Sequence, residues 1–98
     1  MNTRVQSLIG IARRAGKIAS GDAQIEAMVK KRKGSLLIIA EDAHGAQKKY
    51  VQWAKDISLP VFIAGTKLEL GSSIGLSPRS AVLILDQGFA KAILLARS

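Results

Sequence analysis

The sequence predicts an α/β fold: a three-layer α/β/α sandwich over a sheet of about four strands. Two observations carry that expectation. Three short apolar runs, Leu36–Ala40, Leu59–Ala64 and Ala81–Leu85, are rich in Ile, Leu and Val. They are too short for typical helices and suit strands covered on both faces. The segments between them space their apolar residues helically, and helices alternating with buried strands imply helices on both faces of one sheet.

The first helix is set by Val5, Leu8, Ile9 and Ala12, which fall at i, i+3, i+4 and i+7. Thr3 is its expected N-cap, and Gly16 the residue that ends it. Lys17–Ala19 is a short extended piece. Ser20 is expected to cap a second helix, with Asp22 favourable in its first turn. Ile25, Met28 and Val29 form the apolar stripe of that helix, and Gly34 ends it. Ser35–Ala40 is a central strand. A third helix is expected over Ala46–Ile57, where Tyr50, Trp53, Ala54 and Ile57 share a face. Pro60 belongs at the start of the next strand, Leu59–Ala64. Thr66 caps a short helix to about Ser73, and Gly75–Pro78 is a loop. After the strand Ala81–Leu85, Asp86 caps a last helix carrying Phe89, Ala92, Ile93 and Ala96.

The 98 residues fit one domain, 1–98, with a single modest core. The chain has no cysteine, so disulfides and thiolate metal sites are excluded. No apolar run approaches the roughly 20 residues that span a bilayer. The first residues carry arginines within their apolar pattern, unlike a signal peptide. The expectation is a soluble, cytoplasmic monomer.

Enzyme chemistry finds little support. Glu41, Asp42 and His44 follow a buried strand, where α/β sheets tend to place ligands, and could bind a metal or move protons. Structural roles explain them better: Asp42 as a cap for the third helix, Glu41 at its positive end, His44 in solvent. One histidine and no cysteine exclude a Cys–His pair, and no nucleophile-elbow pattern is present. Gly65, Gly71 and Gly75 match neither the phosphate-loop nor the dinucleotide fingerprint. The expectation is no catalysis and no cofactor.

Charge is the strongest bulk signal. Fifteen Lys and Arg stand against seven Asp and Glu, a net +8. Such a field draws polyanions. Arg13, Arg14 and Lys17 close the first helix, and Lys30, Lys31, Arg32 and Lys33 the second; Lys48 and Lys49 open the third. Helix dipoles favour cations at C-termini, but four in succession exceed what a dipole requires. Three helix-start loops, Ser20–Gln24, Asp42–Gln47 and Thr66–Glu69, follow strands. Parallel strands would gather them at one edge of the sheet, with unpaired N–H groups suited to phosphate. Gly21 would let a backbone approach. The loop Gly75–Arg79 could offer Leu76 or Pro78 to an unstacked base, the mode in which RNA is read. No helix-turn-helix or homeodomain pattern points to DNA.

RRAGKIASG (Arg13–Gly21), SLLIIAEDA (Ser35–Ala43), LGSSIG (Leu70–Gly75) and LDQGFAKAI (Leu85–Ile93) occur in an order and spacing that resembles the kink-turn-binding ribosomal protein superfamily of L7Ae and L30e. The resemblance spans nearly the whole chain and implies a mixed four-stranded sheet, no enzymatic activity, and RNA as partner, ribosomal or otherwise structured. It implies RNA contacts from the start of the second helix and from the loop after LGxxxG. The matching positions are Gly21, Asp22, Ala23, Gln24 and Ala27, then Leu76, Ser77, Pro78 and Arg79. Alanines at 23 and 27 stand where such proteins carry polar or cationic residues, which keeps a second expectation open: a protein–protein adaptor on the same fold. The RNA expectation places Lys17, Gly21, Asp22, Gln24, Lys33, Lys48, Leu76, Ser77, Pro78 and Arg79 at the interface, with Lys17, Lys33, Lys48 and Arg79 neutralising phosphates.

Overall fold

The structure is a computed structural model that describes residues 1–97. Its elements run α1 (Thr3–Arg14), β1 (Ile18–Ser20), α2 (Asp22–Lys30), β2 (Leu36–Ile39), α3 (His44–Asp56), β3 (Val61–Ile63), α4 (Lys67–Ser73), β4 (Ala81–Ile84) and α5 (Gln87–Ala96). The strands form one mixed sheet in the order β1-β4-β2-β3. β4 is antiparallel to both neighbours, pairing Ala19 with Leu83 on one side and Leu37 with Leu83 on the other. β2 and β3 are parallel. Helices α1, α4 and α5 pack together on one face, and α2 and α3 lie on the other. The expected three-layer sandwich is the fold.

The core explains why the apolar runs became the inner strands. Every residue of β2 and β4 is buried, with Leu36, Leu37, Ile38, Ile39, Val82, Leu83 and Ile84 fully so. Each such side chain contributes about 1.5–3 kcal/mol when taken out of water. Val5, Ile9 and Ala12 seal one face, together with Leu70, Ile74 and Ile93; Ile25, Val29, Tyr50 and Ala54 seal the other. The edge strands β1 and β3 are only partly covered.

Two of the expected helix caps form, and three helices start differently. Thr66 forms a full capping box with Glu69, and Asp86 accepts the Phe89 N–H, both as expected. Asn2, not Thr3, caps α1: its side chain accepts from Val5 N–H and donates to the Ala96 carbonyl, joining α1 to α5. Gly21, not Ser20, is the N-cap of α2 and supplies no side-chain bond. α3 starts at His44, two residues earlier than expected, without a side-chain cap. Asp42 is used elsewhere: its carboxylate accepts the Lys67 N–H at the start of α4.

Four helices end alike. After α1, α2, α3 and α4 the residue beyond the C-cap is left-handed, at Gly16, Arg32, Ser58 and Gly75. In each case it and its successor donate back to the helix, as Arg32 N–H does to Val29 and Lys33 N–H to Met28. This is the Schellman arrangement, which favours glycine. Only two of the four positions have it.

Candidate nucleic-acid interface

Because β1, β2 and β3 point one way and β4 the other, one rim of the sheet collects four loops. These are the exits of β1, β2 and β3 and the approach to β4. The backbone ties them together: Ala40 N–H donates to Ser80, and Glu41 N–H to Gly65. Ser20 pairs with Val82, so the next residues, Gly21 and Ala81, are neighbours across the β1–β4 ladder. The start of α2 and the loop leading into β4 therefore stand side by side.

Gly21 adopts φ 85° and ψ 145°, and a Cβ there would meet nothing within 4 Å. Its glycine is required by backbone conformation, not packing, and the space beside it is open. Gln24 reaches back so that its side-chain oxygen accepts the Ser20 N–H at 3.2 Å. Its amide nitrogen makes no hydrogen bond among the described residues. Ala23 and Ala27 are exposed on the same helix.

Asp22 is held from α3. Its carboxylate accepts from the Tyr50 hydroxyl and pairs with Lys49 at 2.5 Å. Lys49, then Tyr50, holds the Asp22 carboxyl below the usual range; burial, helped by the Asp22 charge, pushes the Tyr50 phenol upward. The Lys49 ammonium also lies over the Tyr50 and Trp53 rings at 5.0 and 5.4 Å. The rim thus carries a carboxylate whose charge is largely compensated. Lys49 and Tyr50 went unrecognised as partners of Asp22, because nothing in the sequence links positions so far apart.

Gly71 shapes the second half of the site. A Cβ on it would collide with the Ser77 carbonyl, so the loop after α4 can lie flat on that helix. Leu76 N–H donates to Gly71, and Arg79 N–H to Lys67. Leu76, Ser77 and Pro78 are exposed at the bend. Arg79 curls over it, its guanidinium donating to the Ser77 carbonyl, the Ser77 hydroxyl at 2.8 Å and the Pro78 carbonyl. Arg79 braces the loop as well as charging it. Lys67 adds an exposed cation in the first turn of α4, one the sequence reading passed over.

The expected site is brought together in part. Gly21, Asp22, Gln24, Leu76, Ser77, Pro78 and Arg79 share the rim, with Lys48 exposed one turn into α3. Lys17 and Lys33 do not. Lys17 directly precedes β1 and its carbonyl accepts from Leu85, while Lys33 lies in the turn beyond α2, two residues before Ser35, which donates to Ile84. Both lie at the opposite pole, about 13 Å of strand or helix away. Glu41, Asp42 and His44 form no metal site; among the described residues no cluster of three His, Cys, Asp or Glu could hold an ion. Among the described residues no helix is long and apolar enough to cross a membrane.

Fold and rim together define a small α/β/α sandwich with a mixed sheet, a glycine-started helix and a loop folded onto its LGxxxG helix. The chain belongs to the Ribosomal protein L7Ae/L30e/S12e/Gadd45 family, whose model matches residues 3–94. It is 33% identical over 89 residues to the RNA-binding protein YlxQ of Enterococcus faecium, covering 90% of this chain and 85% of that one. Against the RNA-binding protein YlxQ of Bacillus subtilis the figures are 31% over 88 residues, 89% and 88%. The large ribosomal subunit protein eL8 of Thermoplasma volcanium is 27% identical over 90% of this chain and 74% of its own length. Among solved structures, a Bacillus halodurans protein of unknown function superposes with a TM-score of 0.88 at 27% identity, over 96% of both chains. The Giardia lamblia 15.5kD RNA binding protein shares the fold, with a TM-score of 0.78 at 20% identity over 97% of this chain and 86% of that one.

Proposed function

We propose that the protein is a non-enzymatic RNA-binding protein that grips a structured, sharply bent RNA at the rim, in or on the ribosome. One observation carries the reading: the α2 start at Gly21 and the Leu76–Arg79 loop stand side by side, the two segments that the family resemblance assigns to RNA. Gly21 leaves room for a phosphodiester at exposed helix N–H groups. The Gln24 amide reaches base edges from the first turn, Leu76 and Pro78 stack beneath an unpaired base, and Lys48 and Arg79 offset phosphate charge. The names of the relatives, RNA-binding and ribosomal, agree with this partner.

The test is a filter-binding titration against a kink-turn RNA with tandem sheared G·A pairs, and against the same RNA with those pairs made Watson–Crick. Specific binding predicts at least about tenfold preference for the bent RNA, the loss of one good bidentate contact being worth ~1–3 kcal/mol. Equal affinity for the two would remove the kink-turn part of the reading. The exposed alanines at 23 and 27 favour one competing function, an adaptor that docks a protein on this rim; absence of salt-sensitive RNA binding together with a rim-dependent protein complex would favour it.

A further inference from the structure

We infer that the protein carries a second polyanion-binding surface, at the pole opposite the Gly21–Arg79 rim, and that it grips the phosphate backbone of duplex RNA there. The surface is built by the ends of α1 and α2 and the turns that follow them. They present Arg13, Arg14, Lys17, Lys30, Lys31, Arg32 and Lys33, all exposed, seven of the 15 cationic side chains. Among the described residues only Lys30 has a carboxylate partner, Glu26 at 3.8 Å. Asp86, which caps α5, and Asp56, which accepts from Gln52 and borders one groove with Glu26 and Arg32, keep their charge, so the seven cations here face three carboxylates.

The two clusters act as one. Leu85 N–H donates to Lys17, and Ser35 N–H to Ile84, so the start of β1 and the start of β2 flank the end of β4. Two strand spacings, about 10 Å, separate Lys17 from Ser35, so the fields of Lys17 and Lys33 overlap at 0.1 M salt. Arg13 and Arg14 on α1 and Lys30 and Lys31 at the end of α2 flank them from the two faces of the sheet, and a polyanion laid across the pole meets both groups.

Helix dipoles do not account for the arrangement. The last turn of α3 holds Lys55 alone, and those of α4 and α5 hold no basic residue. Arg32 is the sharper sign. It sits at φ 56°, at the position that Gly16 and Gly75 fill after α1 and α4. An arginine there is strained where glycine would not be, and it makes no ion pair among the described residues. Strain retained at an exposed cation points to a group held for something outside the fold. The bonds from Arg32 and Lys33 back to the helix fix the turn, so the cations are displayed from a rigid backbone.

The chemistry favours a nucleic-acid backbone over an anionic bilayer. A membrane-binding surface also inserts a row of apolar side chains, whereas the exposed large apolar residues beside the clusters are scattered: Ile11 in α1, and Leu95, which borders a cavity with Gly34 and Ser35. That the duplex is RNA rests on the function proposed for the rim; the location of the surface does not.

The experiment compares wild type, a pole variant (Arg14→Gln, Lys17→Gln, Lys31→Gln, Lys33→Gln), Arg32→Gly and a rim variant (Pro78→Ala, Arg79→Ala). The probes are a blunt RNA duplex of about two turns, the bent RNA described above, and vesicles containing phosphatidylserine. Wild type is expected to bind the duplex, with a log–log salt slope that falls by about one per cation removed. The pole variant should lose at least tenfold for the duplex and still melt in one cooperative transition, no lower than wild type. Arg32→Gly should melt higher yet bind the duplex less well, a split that a purely structural arginine would not give. The rim variant should lose its preference for the bent RNA over the duplex and keep its duplex affinity, and immobilised bent RNA should retain labelled duplex through wild type only. Duplex affinity unchanged in the pole variant, or pole-dependent binding to vesicles without duplex binding, overturns the inference. Failure of the bent RNA alone overturns the rim reading and leaves the pole standing.

Discussion

Gly71 and Ser77 touch backbone to backbone: no side-chain carbon fits between the Gly71 Cα and the Ser77 carbonyl. The loop that would cover an unstacked base is thereby pressed onto α4, with Leu76 and Arg79 bonded to the helix beneath. Gly71→Ala must push the loop off its bed or bend the helix. Overpacking of this kind costs about 1–3 kcal/mol. Urea unfolding should show that loss, and affinity for the bent RNA should fall further than the stability change alone explains. Unchanged stability would mean that the loop moves without cost.

Gly21→Ala separates conformation from packing. No atom stands in the way of a methyl group, but φ 85° and ψ 145° are open to glycine far more than to alanine. The expected loss is about 1–3 kcal/mol from backbone strain. The start of α2 should become more mobile by amide hydrogen exchange, and an alanine tolerated without cost would show that the turn readjusts.

The Asp22 tie gives the fold an acid sensitivity. Its carboxyl is held below its ordinary 3.8, first by Lys49 and then by Tyr50. A depressed carboxyl stabilises the fold fully above its unfolded pKa and loses that stabilisation as pH falls through its lower folded value. The Glu69 carboxyl, depressed chiefly by the Thr66 N–H, acts in the same sense. Stability should therefore be level at neutral pH and decline below about pH 4. Asp22→Asn should flatten part of that decline in an acid titration followed by circular dichroism. It should also free Lys49 and tighten RNA binding at low salt by roughly two- to fivefold, the scale of an exposed ion pair. Weaker binding would mean that Asp22 itself contacts the RNA.

Arg32 and Ser58 occupy equivalent left-handed positions after α2 and α3. Replacing either with glycine should stabilise the protein, by about 1 kcal/mol or less, because the Cβ penalty disappears. Thermal melts check that. Only Arg32→Gly should also change RNA affinity, so Ser58→Gly serves as its control.

Seven cations at one pole repel one another. Screening should raise the melting temperature as salt increases from low to moderate concentration. The pole variant should show a smaller rise, and a melting temperature independent of salt would indicate that the cations are too well solvated to interact.

Much of this architecture was legible in the sequence. The runs Leu36–Ala40 and Ala81–Leu85 became the two central strands because each is continuously apolar and short, whereas the equally apolar Ala92–Ala96 continues a helix already capped at Asp86. Thr66 and Asp86 announced their helices because a cap needs only a side-chain oxygen next to a periodic segment. At Asn2 and Gly21 the sequence misleads because another cap-forming residue, Thr3 or Ser20, stands one position away. Asp42 was misassigned because its partner, the Lys67 amide, comes from a later helix. The site divided along the same line. Gly21 and the loop after LGSSIG could be paired because both border a strand at the same rim. Lys17 and Lys33 were grouped with them by charge alone. Yet a helix of nine residues, such as α2, carries its two ends about 13 Å apart. Charge says what attracts; only the direction of each element says where.

β4 lies between β1 and β2, yet it is the last strand to be synthesised, at residues 81–84 of 98. While the chain is emerging during translation, β1 has no partner at all, and β2 can pair only with β3. Each β4 contact spans a long stretch of polypeptide, the kind of closure that comes late in folding. The growing chain therefore displays its basic α1 and α2 segments before the sheet can zip shut. A stalled nascent chain lacking residues 81–84 should be digested readily by protease, and one that exposes them should become resistant in a single step.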